Sequence, residues 1–428
     1  MSVIISHPTG NEFFRAAAKG FYETGTLQSL YTSIASFPGS FLYKLGSSKI
    51  FADIQRRAMD PGFKTLAHTH PWKEAVRLLA IKAGNKKLVA HETGPFSVDE
   101  VYKDLDKHVA RNLEREKQKG GSAVYAYEDG AAYSFKQAKE LGLKCLYDLP
   151  IGYWRAMRDI LSAEKELNPG WAVTLDGLKD SPEKLERKEA EIALADTIFV
   201  ASSFTFKTLT QYPGKLPPVQ VVPYGFPLAK AKEYRSFTND PKIKILFVGG
   251  LSQRKGLSYL FKAIDGLSDH VSLTIVGRGR VDNCKPLSEN IGKHHWMETL
   301  PHSKVLEVMR EHDVLIFPSL FEGFGQVITE AMAQGTPVIT TDRTAGADLI
   351  KHAENGWLVK AGSAEAIEHI LEEILSRPPL IAEVGTMAME TAKKRPWSVY
   401  GRELAEAVGK GAKSEKPATP KKGQELRS

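Results

Sequence analysis

A repeating order of strand, turn and helix, run through twice, constrains this chain more than any other feature. In the first run a short apolar stretch at 2–6 reads as a buried strand, ends at the turn Pro8-Thr9-Gly10-Asn11, and leads into a helix over 12–23. Strands at 123–127 and 144–147 flank a helix at 135–141, a helix over 182–195 opens a strand at 197–201, and 220–223 follows. Residues 227–241 are polar and charged without strong periodicity, which marks a connection between domains. The alternation then restarts: strand 244–248, helix 256–264, strand 271–276, helix 305–310, strand 314–317, helix 326–333 and strand 338–340. Such alternation gives parallel sheets with helices on both faces. At 428 residues the chain exceeds one ordinary core, so an α/β pair of doubly wound domains facing a cleft is expected.

Charge narrows the partners. The formal net charge is +7 and the isoelectric point about 9.0, which suits an anionic partner such as a nucleotide or a phospholipid surface. Nucleic-acid binding would rest on charge alone, because no basic patch interleaved with aromatics forms a known module. The two cysteines, Cys145 and Cys284, lie far apart and make neither a metal-ligand cluster nor a disulfide framework. The N-terminus lacks a secretion signal, and no run approaches the ~18 apolar residues that span a bilayer. A cytoplasmic protein is expected, with peripheral contact at the inner face of a membrane left open. That contact would use 49–87, where Arg56, Arg57, Lys64, Lys73, Arg77, Lys82, Lys86 and Lys87 alternate with Leu66, Trp72, Val76, Leu79 and Ile81. A core-facing helix with a solvated basic face is slightly favoured there.

The most informative segment is 317–339, which begins Phe317-Pro318-Ser319-Leu320-Phe321-Glu322-Gly323-Phe324-Gly325-Gln326-Val327. It reads strand, glycine-rich loop, helix, glycine cap, strand. Gly323 and Gly325 let backbone approach a ligand, and the loop delivers it to a helix N-terminus whose amides and dipole favour phosphate. Glu322 lies in the loop, where it can reach a sugar. Glu330 lies about a turn and a half into the helix, where it can accept hydrogen bonds from ribose hydroxyls. As a whole the run resembles the Glu-x7-Glu region of the retaining glycosyltransferase family 4, whose fold is GT-B. Residues 245–257, Ile-Leu-Phe-Val-Gly-Gly-Leu-Ser-Gln-Arg-Lys-Gly-Leu, resemble the strand, loop and helix that open that family's donor domain.

The resemblance implies several residue roles. Lys255 would contact the donor diphosphate, with fixed cations stabilising the leaving group. The family commonly has an arginine where this chain has Gly250, and Arg254 is the candidate substitute. Gly277, in Thr274-Ile275-Val276-Gly277-Arg278-Gly279, would lie near the base, and Phe324, Gln326 and Val327 complete the donor loop. The segments 355–359 and 222–225 match structural steps of the family, and Trp397 matches a terminal helix packing back on the first domain. In the first half, Gly10 would admit the donor phosphate and sugar, and His7 and Asn11 would bind acceptor; a turn or core role for His7 is equally open. Ala201-Ser202-Ser203-Phe204 resembles another recurrent loop, though serines there are ordinary helix caps. Many relatives carry a histidine at a strand end beside the reacting sugar. Here the strand ends Leu146-Tyr147-Asp148-Leu149-Pro150, and Tyr127-Glu128-Asp129-Gly130 stands at a second such position. Tyr147 and Asp148 join Glu322 as catalytic candidates, and Glu128 and Asp129 as acceptor contacts.

The resulting expectation is a first Rossmann-like domain over 1–226 for acceptor and a second over 227–395 for donor. A helix at 396–408 crosses back, and 409–428 forms a disordered basic tail. The implied reaction moves a sugar from a UDP- or GDP-linked donor to a carbohydrate or lipid-linked acceptor with retention. It needs no cofactor and no metal, since nothing resembles an Asp-x-Asp metal site. The alternative is a catalytically impaired GT-B scaffold. An epimerase or phosphorylase on the same fold fits less well, and no Gly-x-Gly-x-x-Gly follows the first strand to support a Rossmann dehydrogenase.

Overall fold

The computed structural model describes residues 1–40, 43, 57–237, 241–279 and 281–410. Two parallel sheets organise them. The first holds β1 (Val3–Ser6), β2 (Leu27–Thr32), β3 (Ala67–Thr69), β4 (Ala123–Tyr127), β5 (Lys144–Leu149), β6 (Thr197–Val200) and β7 (Val219–Val221), in the order β3-β2-β1-β4-β5-β6-β7. The second holds β8 (Ile243–Val248), β9 (Val271–Val276), β10 (His295–Met297), β11 (Val314–Phe317), β12 (Val338–Thr341) and β13 (Trp357–Val359), in the order β10-β9-β8-β11-β12-β13. In both sheets the order reverses beside the first strand, and ligands bind outside the carboxyl ends of strands at such a point.

The two faces of the first sheet carry separate cores, as a period of two requires. Val3, Ile5, Tyr125, Tyr127 and Phe199 pack on one face with Phe14, Phe21, Tyr400 and Leu404. Ile4, Val124, Cys145, Tyr147 and Ile198 pack on the other with Leu105, Val109 and Phe135. The terminal helix Trp397–Lys410 returns to the first domain and lies along helix Glu12–Glu23. Gly20 and Gly401 make that approach possible, because a Cβ on Gly20 would fall on the backbone of Gly401. Burying Leu404 and Val408 at this contact stabilises the return by roughly 1.5–3 kcal/mol each.

Where it is described, the connection at 227–241 is tied to the second domain: Lys230 N–H donates to the Ala333 carbonyl at 2.9 Å, and the Tyr234 hydroxyl to the Gly335 carbonyl at 2.9 Å. Two sequence expectations change. Gly409 and Lys410, expected in the tail, close the terminal helix, while 411–428 lie outside the described residues. Part of the basic 49–87 segment also lies outside them, and the described part contains helix Trp72–Lys82. Its apolar face is not turned to the core. Trp72 is 49% and Leu79 62% exposed, while Glu74 is buried and paired with Arg57 and Arg77. Among the described residues no helix is long and apolar enough to cross a membrane.

Candidate active site

The glycine-rich loop after β11 ends at Gly325, whose φ of +85° is left-handed and suits glycine. Gly325 caps helix Gln326–Ala333 without a side-chain acceptor, so the first amides of the helix are left for a ligand. The loop 249–256 packs beside it: a Cβ on Gly256 would meet the Pro318 carbonyl, and one on Gly277 the Gly249 carbonyl. Leu320 N–H donates to the Arg254 carbonyl at 2.8 Å, and Ser319 Oγ lies 3.1 Å from the same oxygen. These bonds bring Arg254, Lys255 and Glu322 together.

Glu322 is the hub. Its Oε1 accepts from Arg254 Nη1 at 2.7 Å, from Ser319 Oγ at 3.2 Å and from Lys255 Nζ. Burial pushes its carboxyl up, but Lys255 and Arg254 outweigh that and hold it below the usual carboxylate range. Burial likewise lowers the Lys255 ammonium, opposed by Glu322. Lys255 Nζ also lies 4.8 Å from the centroid of the Phe317 ring. Gly250 has no atom within 4 Å of a Cβ position, so the family arginine missing there is not excluded by lack of space.

Glu330 sits further along the helix, and His302 Nε2 lies 3.0 Å from its carboxylate. Both line a cavity of about 940 Å³ that spans the two domains, with Glu12 and Arg15 on one side and Gln326 and Thr329 on the other. Buried polar atoms without partners are costly unless something binds them. Asn11 Oδ1 and Gln326 Nε2 are two such atoms, one from each domain. Val327 is half-buried against the second core. The donor candidates Gly323 and Phe324 turn toward the first domain: a Cβ on Gly323 would fall on the Pro150 carbonyl, and Phe324 packs on Tyr224 at 4.9 Å between centroids. Gly10 backs onto Met59, whose Cε lies 2.7 Å from a Cβ built there.

The other first-domain candidates are held elsewhere. His7 is a turn residue: its Nδ1 accepts from Thr9 N–H at 3.2 Å and Gly10 N–H at 3.3 Å, with the ring edge-on to Tyr127 at 4.9 Å. Burial, helped by Arg57, drops its pKa to about 3, so the imidazole is neutral and already engaged. Tyr147 is fully buried on the face of the sheet opposite Asp148, and its hydroxyl donates to Glu191 at 3.1 Å. It does not line the cavity that holds Glu330. Asp148 takes the Tyr125 hydroxyl at 2.5 Å, and burial raises its pKa to about 7. The neighbouring hydroxyls of Tyr127 and Tyr224 find no partner among the described residues. Glu128 is buried with Lys188 Nζ at 3.4 Å, and burial, opposed by Lys188, lifts it to about 7. Asp129 lies in the same ion cluster, 3.6 Å from Arg187 and 3.8 Å from Lys184.

Several contacts between the domains escaped the sequence reading. Ser202 Oγ, besides capping its helix at Thr205 N–H, donates to the Gly323 carbonyl, as does Thr205 Oγ1 at 3.0 Å. Phe321 is buried among Met157, Leu161, Leu175 and Phe204 of the first domain. In return Trp171 enters the second core, 6.1 Å from Phe261 between centroids. Glu164 accepts from Gln253 Nε2 at 2.7 Å and from the Tyr259 hydroxyl at 2.9 Å.

Comparison with known proteins matches residues 230–394 to the family described as Glycosyl transferases group 1. A phosphatidyl-myo-inositol mannosyltransferase of Mycobacterium leprae is 31% identical over 166 residues, which is 37% of this chain and 44% of that relative. The capsular polysaccharide biosynthesis glycosyltransferase CapM of Staphylococcus aureus is 26% identical over 55% of this chain and 69% of its own. The chain thus spans less than half the length of the first of these relatives. Among solved structures, sucrose-phosphate synthase from Thermosynechococcus elongatus superposes with a TM-score of 0.65 at 16% identity, covering 96% of this chain and 98% of that one. Anabaena HepE in complex with UDP and glucose superposes at 0.61 and 16% identity, covering 96% and 99%. The shared fold is GT-B.

Proposed function

We propose, from the match of residues 230–394 to the group 1 glycosyltransferases, that this chain transfers a sugar from a nucleotide-diphosphate donor to a carbohydrate or lipid-linked acceptor, in polysaccharide or glycoconjugate assembly. The observation that carries the reading is the grouping of Lys255, Arg254 and the open amides of helix Gln326–Ala333 beside Glu330. The cations and amides offset the charge that grows on the departing diphosphate. Glu330, steadied by His302, takes the ribose hydroxyls. UDP and GDP both fit this chemistry. The acceptor enters from the side of Glu12 and Arg15, and retention of configuration is what the family resemblance implies. Protein cations do the work at the diphosphate, so the reading needs no metal or further cofactor.

Lys255 is covered by Glu322 and Phe317 of its own domain and does not line the open cavity. Closure of the domains over the bound donor excludes water and aligns the acceptor hydroxyl. The exposed Trp72 and Leu79, with exposed Lys86 and Lys87 nearby, favour an acceptor held at an anionic lipid surface. The test is transfer or hydrolysis assayed with UDP- and GDP-sugars, with Lys255→Ala as the control. One observation favours the second reading, an impaired scaffold: Tyr147 and Asp148 are both buried in structural hydrogen bonds. Donor binding without any turnover would support it.

A further inference from the structure

We propose that Glu322 is a charge filter: seated on Lys255 and Arg254, its carboxylate biases the site toward the nucleotide-diphosphate sugar and against the bare nucleoside diphosphate left after transfer. The inference rests on the reading above, in which those two cations hold the diphosphate.

The difference between the two ligands lies at one phosphate. In the sugar donor the second phosphate is esterified and carries a single charge. In the bare diphosphate it is a terminal phosphate whose second ionisation falls near about pH 6, so at neutral pH it carries one charge more. That extra charge would sit at the position the sugar vacates, next to Lys255, Arg254 and whatever else is fixed there.

What is fixed there is Glu322. It contacts both cations through the same oxygen, Oε1, and Ser319 holds that oxygen in place. Two positive side chains and one negative leave a net +1 where the cations alone would give +2. Glu322 is 9% exposed, so solvent screens the cluster weakly and each unit of charge is felt strongly. The carboxylate stays ionised around neutral pH, because its cations hold its pKa down. Gly250 sharpens the effect. No described atom lies within 4 Å of where its Cβ would be, so position 250 adds no charge to the two cations, and Glu322 cancels a large share of what Lys255 and Arg254 supply. The expected consequence is prompt release of the product nucleotide and weak product inhibition.

The experiment is calorimetric titration of UDP, UDP-glucose, GDP and GDP-mannose into the full chain and three variants, at low ionic strength and neutral pH. The readout is the ratio of the Kd of the bare diphosphate to that of its sugar. Glu322→Gln removes the charge and keeps the shape; the ratio should fall at least about tenfold, mainly through tighter binding of the bare diphosphate. Glu322→Asp keeps the charge and should leave the ratio within about threefold of the native value. Gly250→Arg removes no buried partner and adds a cation; it should lower the ratio in the same direction even if Glu322→Gln fails to fold. A merely structural role would weaken both ligands alike and leave the ratio unmoved in Glu322→Gln and Gly250→Arg, which would overturn the inference alone. If none of the four ligands binds the native chain, the donor reading fails and the inference with it.

Discussion

The Ser202 hydroxyl donates to the Gly323 carbonyl across the domain boundary, tying the end of β6 to the loop that carries Glu322. The loop is therefore set by the first domain as much as by the second. Removing the bond should loosen closure. Ser202→Ala loses this contact and the helix cap, and Thr205→Val loses the second donor to the same oxygen. Each should cost about 1–2 kcal/mol in chemical denaturation. The double variant should show a raised KM for donor, because more of the free protein is open. A melting curve and a KM both unchanged would mean the contact is incidental.

Loss of the donor contacts should be severe. Lys255→Ala and Glu330→Ala are each expected to reduce transfer at least roughly tenfold, the scale of one preorganised electrostatic contact. Lys255→Ala also leaves Glu322 short of a partner, so its melting temperature should drop as well. His302→Ala should raise the donor KM with less effect on stability, since His302 is 65% exposed and acts by holding Glu330.

Asp148 gives a pH signature. Burial raises its pKa to about 7 in the folded protein, against about 3.9 in an unfolded chain. Between those values the native state holds a proton that the unfolded state has lost. Stability from this group is therefore full below about pH 4 and is lost as pH rises toward 7. Asp148→Asn keeps an oxygen for the Tyr125 hydroxyl and cannot ionise. Relative to native, the variant should gain stability as pH rises from 4 to 7, by up to about 1 kcal/mol per pH unit. Parallel stability curves for the two proteins would contradict the assignment.

The outward face of helix Trp72–Lys82 should bind membranes. With Lys86 and Lys87 beside it, co-sedimentation with anionic vesicles should exceed that with zwitterionic ones and weaken with salt. Replacing Trp72 and Leu79 with serine should reduce binding at least roughly tenfold, because each apolar side chain contributes on the order of 1.5 kcal/mol or more when buried. Equal sedimentation of the double variant would remove the lipid surface from the account.

How much of this was written in the sequence depends on the range of the interaction. The loop 322–325 and the helix after it were legible because a left-handed glycine and an uncapped helix start are local events. The alternation along β5 also carried information: Tyr147 and Asp148 are neighbours, so they face opposite sides of the sheet, and naming both as catalytic candidates overlooks that period. The contacts that close the molecule were not legible. Trp171 inside the second core, Gln253 on Glu164, and His302 on Glu330 join residues far apart in the chain, and nothing local signals them. The helix at 72–82 misled for a related reason. Its pattern shows two faces, but not that Glu74 would be buried by pairing with Arg57 and Arg77, which turns the apolar face outward.

A crystal structure with UDP or GDP bound tests the central claim most directly. The account expects the second phosphate within about 3 Å of Lys255 Nζ and of the Gln326 or Val327 amide, with ribose hydroxyls on Glu330. A nucleotide bound away from this helix end, or none at saturating concentration, would contradict it.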